Sequence, residues 1–138
     1  MESISWQEEY ELGIPALDEQ HKKLIQLLKL LEISMRNQSD LETEFSILSE
    51  FIQLALFHFS YEQKYLRDIG YPRYQEHKGH HEKLIVQLKF IQGELMSGNL
   101  KTDAKLFAYL KDWLTIHLME DDQDVAGWYR ETMDKKHL

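Results

Sequence analysis

Two short spacings in this sequence carry ligand chemistry: His58-Phe-Ser-Tyr-Glu62 and His77-Lys-Gly-His-His81. Residues four apart on an α-helix lie on one face, one turn above the other. His58 and Glu62 would therefore point together from one helix, and His77 and His81 from the next. Gly70-Tyr71-Pro72 marks a turn between them, so the two helices pack antiparallel and set an N,O pair opposite an N,N pair. That is how a metal site is built inside a helix bundle. Imidazole and carboxylate donors without sulfur suit iron, manganese or zinc. The chain has no cysteine, which excludes disulfides, thiolate–zinc sites and cysteine-held iron–sulfur clusters.

The elements that must position these side chains read as amphipathic helices. The expected architecture is all-α: an up-down-up-down four-helix bundle with an extended N-terminal arm and a short C-terminal helix. One domain covers 1–138, with helices near 15–37, 40–69, 72–97, 102–120 and 125–135. Trp6 in the arm reads as a packing anchor. The first helix begins near Pro15, which suits a first turn, or Asp18, which suits a cap, and carries the stripe Leu17, His21, Leu24, Leu28, Leu31, Met35. Ser39 is the expected cap of the second, with Glu42 reaching back to it. Its stripe is Leu48, Phe51, Ala55, His58, Glu62, Tyr65, and Gly70 ends it. Pro72 starts the third helix, with Tyr74, His77, His81, Leu84, Leu88, Ile91 and Leu95 on one face. The fourth carries Leu106, Leu110, Trp113 and His117, and its pattern weakens after Met119 into the acidic run 120–124.

Five of the seven histidines thus fall on core-facing stripes: His21, His58, His77, His81 and His117. His80 and His137 do not, and read as surface residues. Any one of the five, taken alone, reads as a hydrogen-bonded interior histidine. Five of them on the inward stripes of all four helices, together with Glu62, have no packing rationale. His117 and Asp122 are five apart, slightly off one helical face, and the ending helix is expected to let the carboxylate swing inward. Seven protein ligands are too many for one ion and suit two. If Glu62 and Asp122 each bridge and an oxo or hydroxo bridge is added, two octahedra fill except for one position. A small molecule would bind there.

With these residues in place the chain resembles the hemerythrins, specifically the single-domain bacterial kind, the bacteriohemerythrins. The resemblance runs through the Trp6 arm, Asp18-Glu-Gln-His21, His58-x3-Glu62, His77-x3-His81 and His117-x4-Asp122. It implies two non-haem iron ions (Fe2+/Fe3+) with an oxo or hydroxo bridge and reversible binding of O2. It also implies roles: His77, His81 and His117 on the saturated iron, His21 and His58 on the open one, Glu62 and Asp122 bridging. Trp113, Leu114 and Leu118 match positions that wall the O2 pocket. Core packing is the other reading of those three, and a dry wall serves both.

Composition narrows the field further. Hydrophobic content of 43% with 29% charged residues suits a globular protein, and the net charge of −8 has no basic stripe within it. Nucleic acid and anionic membranes are therefore not expected partners, and apolar runs are too short for membrane insertion. The expected location is cytoplasmic, the expected partners are O2 and an O2-accepting protein, and the expected state is a monomer or weak oligomer. O2 carriage, storage or delivery ranks first, because no acid–base side chain is evident at the pocket. A di-iron enzyme, acting as oxidase or peroxidase or on nitric oxide, ranks second, with Tyr65 as a candidate donor. An O2 or redox sensor ranks third, since sensors usually carry a fused signalling domain.

Overall fold

The computed structural model describes residues 3–136, so His137 lies outside the described residues. Four long helices alternate in direction: α1 (Pro15–Arg36), α2 (Leu41–Asp68), α3 (Tyr74–Met96) and α4 (Ala104–Ile116). The connections are short, which makes successive helices antiparallel neighbours. α1 packs against α2 and α4, and α2 against α3. The four-helix bundle expected from the periodicity is the architecture observed. Among the described residues no helix is long and apolar enough to cross a membrane.

Local chemistry sets the helix ends, in places differently from the sequence reading. Pro15 opens α1 at its first turn. Asp18 is not a cap: its carboxylate accepts the backbone N–H groups of Leu12 at 2.8 Å and Gly13 at 3.1 Å, pinning the arm. Asp40, not Ser39, caps α2 by accepting from the Thr43 N–H. Ser39 is engaged elsewhere, since its N–H closes α1 on the Ser34 carbonyl at 2.9 Å. Asp103 caps α4 through the Leu106 N–H.

α2 ends as the sequence suggests. The Tyr71 N–H reaches the Leu66 carbonyl and the Gly70 N–H reaches that of Arg67, with Gly70 at φ 75°. A Cβ at Gly70 would meet nothing within 4 Å, so a substitution there is opposed by backbone conformation alone. Gly70→Ala is expected to lower stability by about 1 kcal/mol, seen as a lower urea midpoint at unchanged slope.

The clearest difference lies after α4. A break was expected between residues 120 and 125, but the rod continues. A π-helical turn, His117–Asp121, leads directly into α5 (Asp122–Lys136). The Asp122 N–H bonds to the His117 carbonyl five residues back, the signature of a π-bulge.

Two apolar clusters fill the bundle. The larger includes Leu24, Leu28, Phe51, Phe59, Leu110, Trp113, Leu114 and Leu118, and receives Ile4, Trp6 and Tyr10 of the arm. Trp6 is thus the anchor it was read as. The smaller joins Leu12, Ile14, Leu17, Leu66, Tyr71, Val125 and Ala126. The candidate ligands interrupt the stripes where one cluster gives way to the other: His21 between Leu17 and Leu24, Glu62 between Phe59 and Leu66, Asp122 between Leu118 and Val125. A polar layer is held between two dry ones.

Candidate metal centre

All seven predicted ligands meet in that layer. His21, His58, Glu62, His81 and Asp122 are fully buried, and His77 and His117 nearly so. Donor atoms of His21, His58, Glu62, His117 and Asp122 lie within 4.8 Å of one another, as do those of Glu62, His77, His81 and Asp122. The two groups share both carboxylates. A pair of adjacent sites bridged by two carboxylates is the donor geometry of a dinuclear centre.

Each helix delivers its ligands by periodicity. α1 presents His21, α2 the i, i+4 pair His58 and Glu62, and α3 the i, i+4 pair His77 and His81. The last pair needs the π turn. At 3.6 residues per turn, positions five apart diverge around the helix, whereas the i+5 bonding of a π turn stacks His117 and Asp122 on one side. His117 Nε2 and Asp122 Oδ2 then stand 3.1 Å apart. Asp122 points inward from an unbroken helix, not from a frayed end.

The ring nitrogens converge on the carboxylates. His58 Nε2 is 2.8 Å from Glu62 Oε2, and His21 Nε2 is 3.1 Å from Asp122 Oδ2. His77 Nε2 lies 3.3 Å from Asp122 Oδ1 and 3.5 Å from Glu62 Oε1. His21 and His58 face each other Nε2 to Nε2 at 2.9 Å, aimed at a common point. Neither ring nitrogen of buried His81 has a hydrogen-bond partner, and the Glu62 carboxylate stands 3.6 Å away. Buried polar groups are rarely left this way. The orphaned His81 and two shared buried carboxylates fit a pair of cations.

His117 stands between the two groups. Its nitrogen clusters with those of His21 and His58, yet its ring centroid is nearest that of His81, at 5.0 Å against 5.8 Å for His21 and 5.9 Å for His58. Its Nε2 lies 3.1 Å from Asp122 Oδ2 and 3.7 Å from Glu62 Oε2, so it faces both shared carboxylates.

Burial and neighbouring charge split the protonation states. Burial pushes the His81 imidazolium down to about 3. It also lowers His58, assisted by the charge of His21. Both shifts favour the neutral ring, which carries a lone pair on one nitrogen. For His117 burial again works downward, but the Asp122 charge and contacts with Asp121, Asp122 and Glu62 outweigh it and raise the group well above 6.5. Burial and the Asp122 charge push Glu62 up, and His58 and His117 overcome them, leaving it at about 2. Asp122 is held well below its ordinary range, burial being outweighed chiefly by His117. Both carboxylates are therefore ionised in a dry layer, which favours cations.

A metal ion at His117 must displace a proton. That proton competes below the raised value and stops competing as pH rises past it. Apparent Zn2+ affinity is thus expected to climb from pH 6.5 upward by about tenfold per pH unit for one displaced proton, read by competition titration. A flat profile would contradict the protonation state given for His117.

The predicted pocket residues Trp113, Leu114 and Leu118 are all buried beside the layer. Leu114 precedes His117 by one turn. The sequence reading missed Phe59, whose ring is 4.5 Å from His81 and 5.2 Å from His117. Its place next to His58 put it off the counted stripe. It also missed Gln20, whose Oε1 meets His58 Nδ1 at 2.7 Å and orients that ring. Tyr65 is turned into the smaller apolar cluster, where burial and a hydrogen bond with Tyr129 push its phenol up to about 12. Such a group is a poor proton donor.

The chain is similar to known proteins over most of its length. The hemerythrin HHE cation binding domain matches residues 12–129. The bacteriohemerythrin of Campylobacter jejuni (strain 81-176) is 31% identical over 122 residues, covering 86% of this chain and 90% of its own. That of Stenotrophomonas maltophilia (strain R551-3) is 29% identical, covering 91% and 81%. The crystal structure of wild-type hemerythrin superposes with a TM-score of 0.79 at 21% identity, over 87% of this chain and 93% of that one; at that identity it speaks for the fold. With the match of the domain over most of its length, the chain belongs to the hemerythrin family of cation-binding domains.

Proposed function

We propose that this protein binds O2 reversibly at a non-haem di-iron centre held by His21, His58, Glu62, His77, His81, His117 and Asp122. The observation that carries the reading is the sharing of Glu62 and Asp122 between two buried donor groups. Two iron ions would supply the redox chemistry that reversible O2 capture needs. The rest falls to the chain. Glu62 and Asp122 would be shared between the ions, with His77, His81 and His117 holding one and His21 and His58 the other. The uneven split of histidines leaves one position for a small ligand. The nearness of the His117 ring to His81 supports this division.

The surroundings favour binding over turnover. Phe59, Trp113, Leu114 and Leu118 are buried apolar neighbours of the polar layer, which makes that side of it dry. Tyr65 faces away. A site built for substrate oxidation needs room for the substrate and a proton donor at hand. An O2 carrier, store or donor to an accepting protein needs neither, and no Lys/Arg stripe marks a nucleic-acid surface.

The reading is tested by measuring gas uptake of the iron-loaded, reduced protein in a sealed cell. Uptake of one O2 for each pair of irons, returned on evacuation, is the expected result. Continuous O2 consumption on adding a reductant would favour an enzyme.

A further inference from the structure

His80, expected at the surface, and Asp121 of the acidic run come together behind His117. His117 Nδ1, the ring nitrogen pointing away from the shared carboxylates, faces Asp121 Oδ2 at 3.7 Å, an ion-pair distance. The other oxygen of Asp121 meets His80 Nδ1 at 3.0 Å. His80 is 47% exposed and Asp121 19%, so the line runs from solvent to a fully buried ring. It borders a cleft of about 20 Å³, room for about one water. Glu76 and Asp124, the other acids of that cleft, are tied to Arg73 at 2.7 and 3.1 Å. Asp121 is left to the two histidines.

We propose that Asp121 is a positioning residue for His117, and that His80 anchors Asp121 from the surface. The inference rests on the reading of His117 as a metal ligand. A carboxylate behind a ligating imidazole holds the proton on the nitrogen it faces, frees the other for the metal and fixes the ring plane. Here it would keep the proton on Nδ1 and direct the Nε2 lone pair toward Glu62 and Asp122. Gln20 does the corresponding work for His58 with a neutral amide. Nδ1 of His21, His77, His81 and His117 has no hydrogen-bond partner, and of these four only His117 has, among the described residues, a carboxylate at ion-pair distance from that nitrogen. The π turn makes the arrangement workable, because it sends Asp122 inward while Asp121, one residue earlier, sits behind His117.

The test uses the whole chain loaded with Co2+, whose visible spectrum reports ligand geometry. Asp121→Ala is expected to weaken binding of one of the two ions by about 10- to 100-fold and to shift its band. Asp121→Asn keeps the side-chain size, guards against misfolding, and should lie between. Asp121→Glu should restore part of the affinity, and His80→Gln should give a smaller loss in the same direction. Unchanged Co2+ affinity and spectrum in Asp121→Ala and Asp121→Asn would overturn the positioning role. Failure of the unaltered protein to take up two Co2+ would overturn the metal centre itself, a distinguishable result.

Discussion

Glu62→Ala is expected to abolish binding of two metal ions per chain. Glu62 belongs to both donor groups and is fully buried, so its loss removes an anion from each site at once. Partners outside the ligand set typically cost 10- to 100-fold in affinity, and a shared ligand should exceed that. Glu62→Gln should behave alike, since it keeps the volume but not the charge. His58→Ala, which removes a donor from one group, should spare more of the other ion. Metal content after a chelator wash is the measurement, with circular dichroism checking that the variant remains helical. Two ions retained by Glu62→Ala would sink the assignment of Glu62 as a bridge.

Leu114→Ser should shorten the life of the oxygenated protein by about tenfold or more, equivalent to about 1.4 kcal/mol of barrier. Leu114 is fully buried and adjoins Trp113 and Leu118. Serine there opens space and offers a hydroxyl, so water can reach the layer from a side that is otherwise walled by hydrocarbon. The same change should cost about 2–5 kcal/mol of stability, as truncations of buried leucine do. Leu114→Met conserves volume and should leave both quantities nearly unchanged. Autoxidation is followed by decay of the visible band in air. A destabilised Leu114→Ser with an unaltered lifetime would show that the leucine packs the core without guarding the site.

How much of this was legible in the sequence depended on periodicity. His58–Glu62 and His77–His81 are i, i+4 pairs, and an ordinary α-helix suffices to bring each pair onto one face. His21 could be placed because Leu17 and Leu24 flank it at helical spacing. His117 and Asp122 do come together, but through a π turn and not through the helix end that the sequence suggests. The run 120–124 resembles a helix terminus, yet Asp122 is buried among histidines, Asp121 faces His117 and Asp124 pairs with Arg73, 51 residues away. Partners that distant leave no local trace, and a π turn has no composition of its own. Asp18 and Ser39 show the same limit at shorter range. Each is a plausible cap by type, and the arm and the end of α1 claimed them for other bonds.

A two-metal centre with reversible O2 chemistry must show both its metal content and its reversibility in one preparation. Iron per chain is quantified, and the visible spectrum of the reduced protein is recorded through repeated cycles between anaerobic buffer and air. The expected result is two irons per chain and a band that appears in air, vanishes without it and returns at full height. A single iron per chain, or a band that forms once and is never recovered, would contradict it.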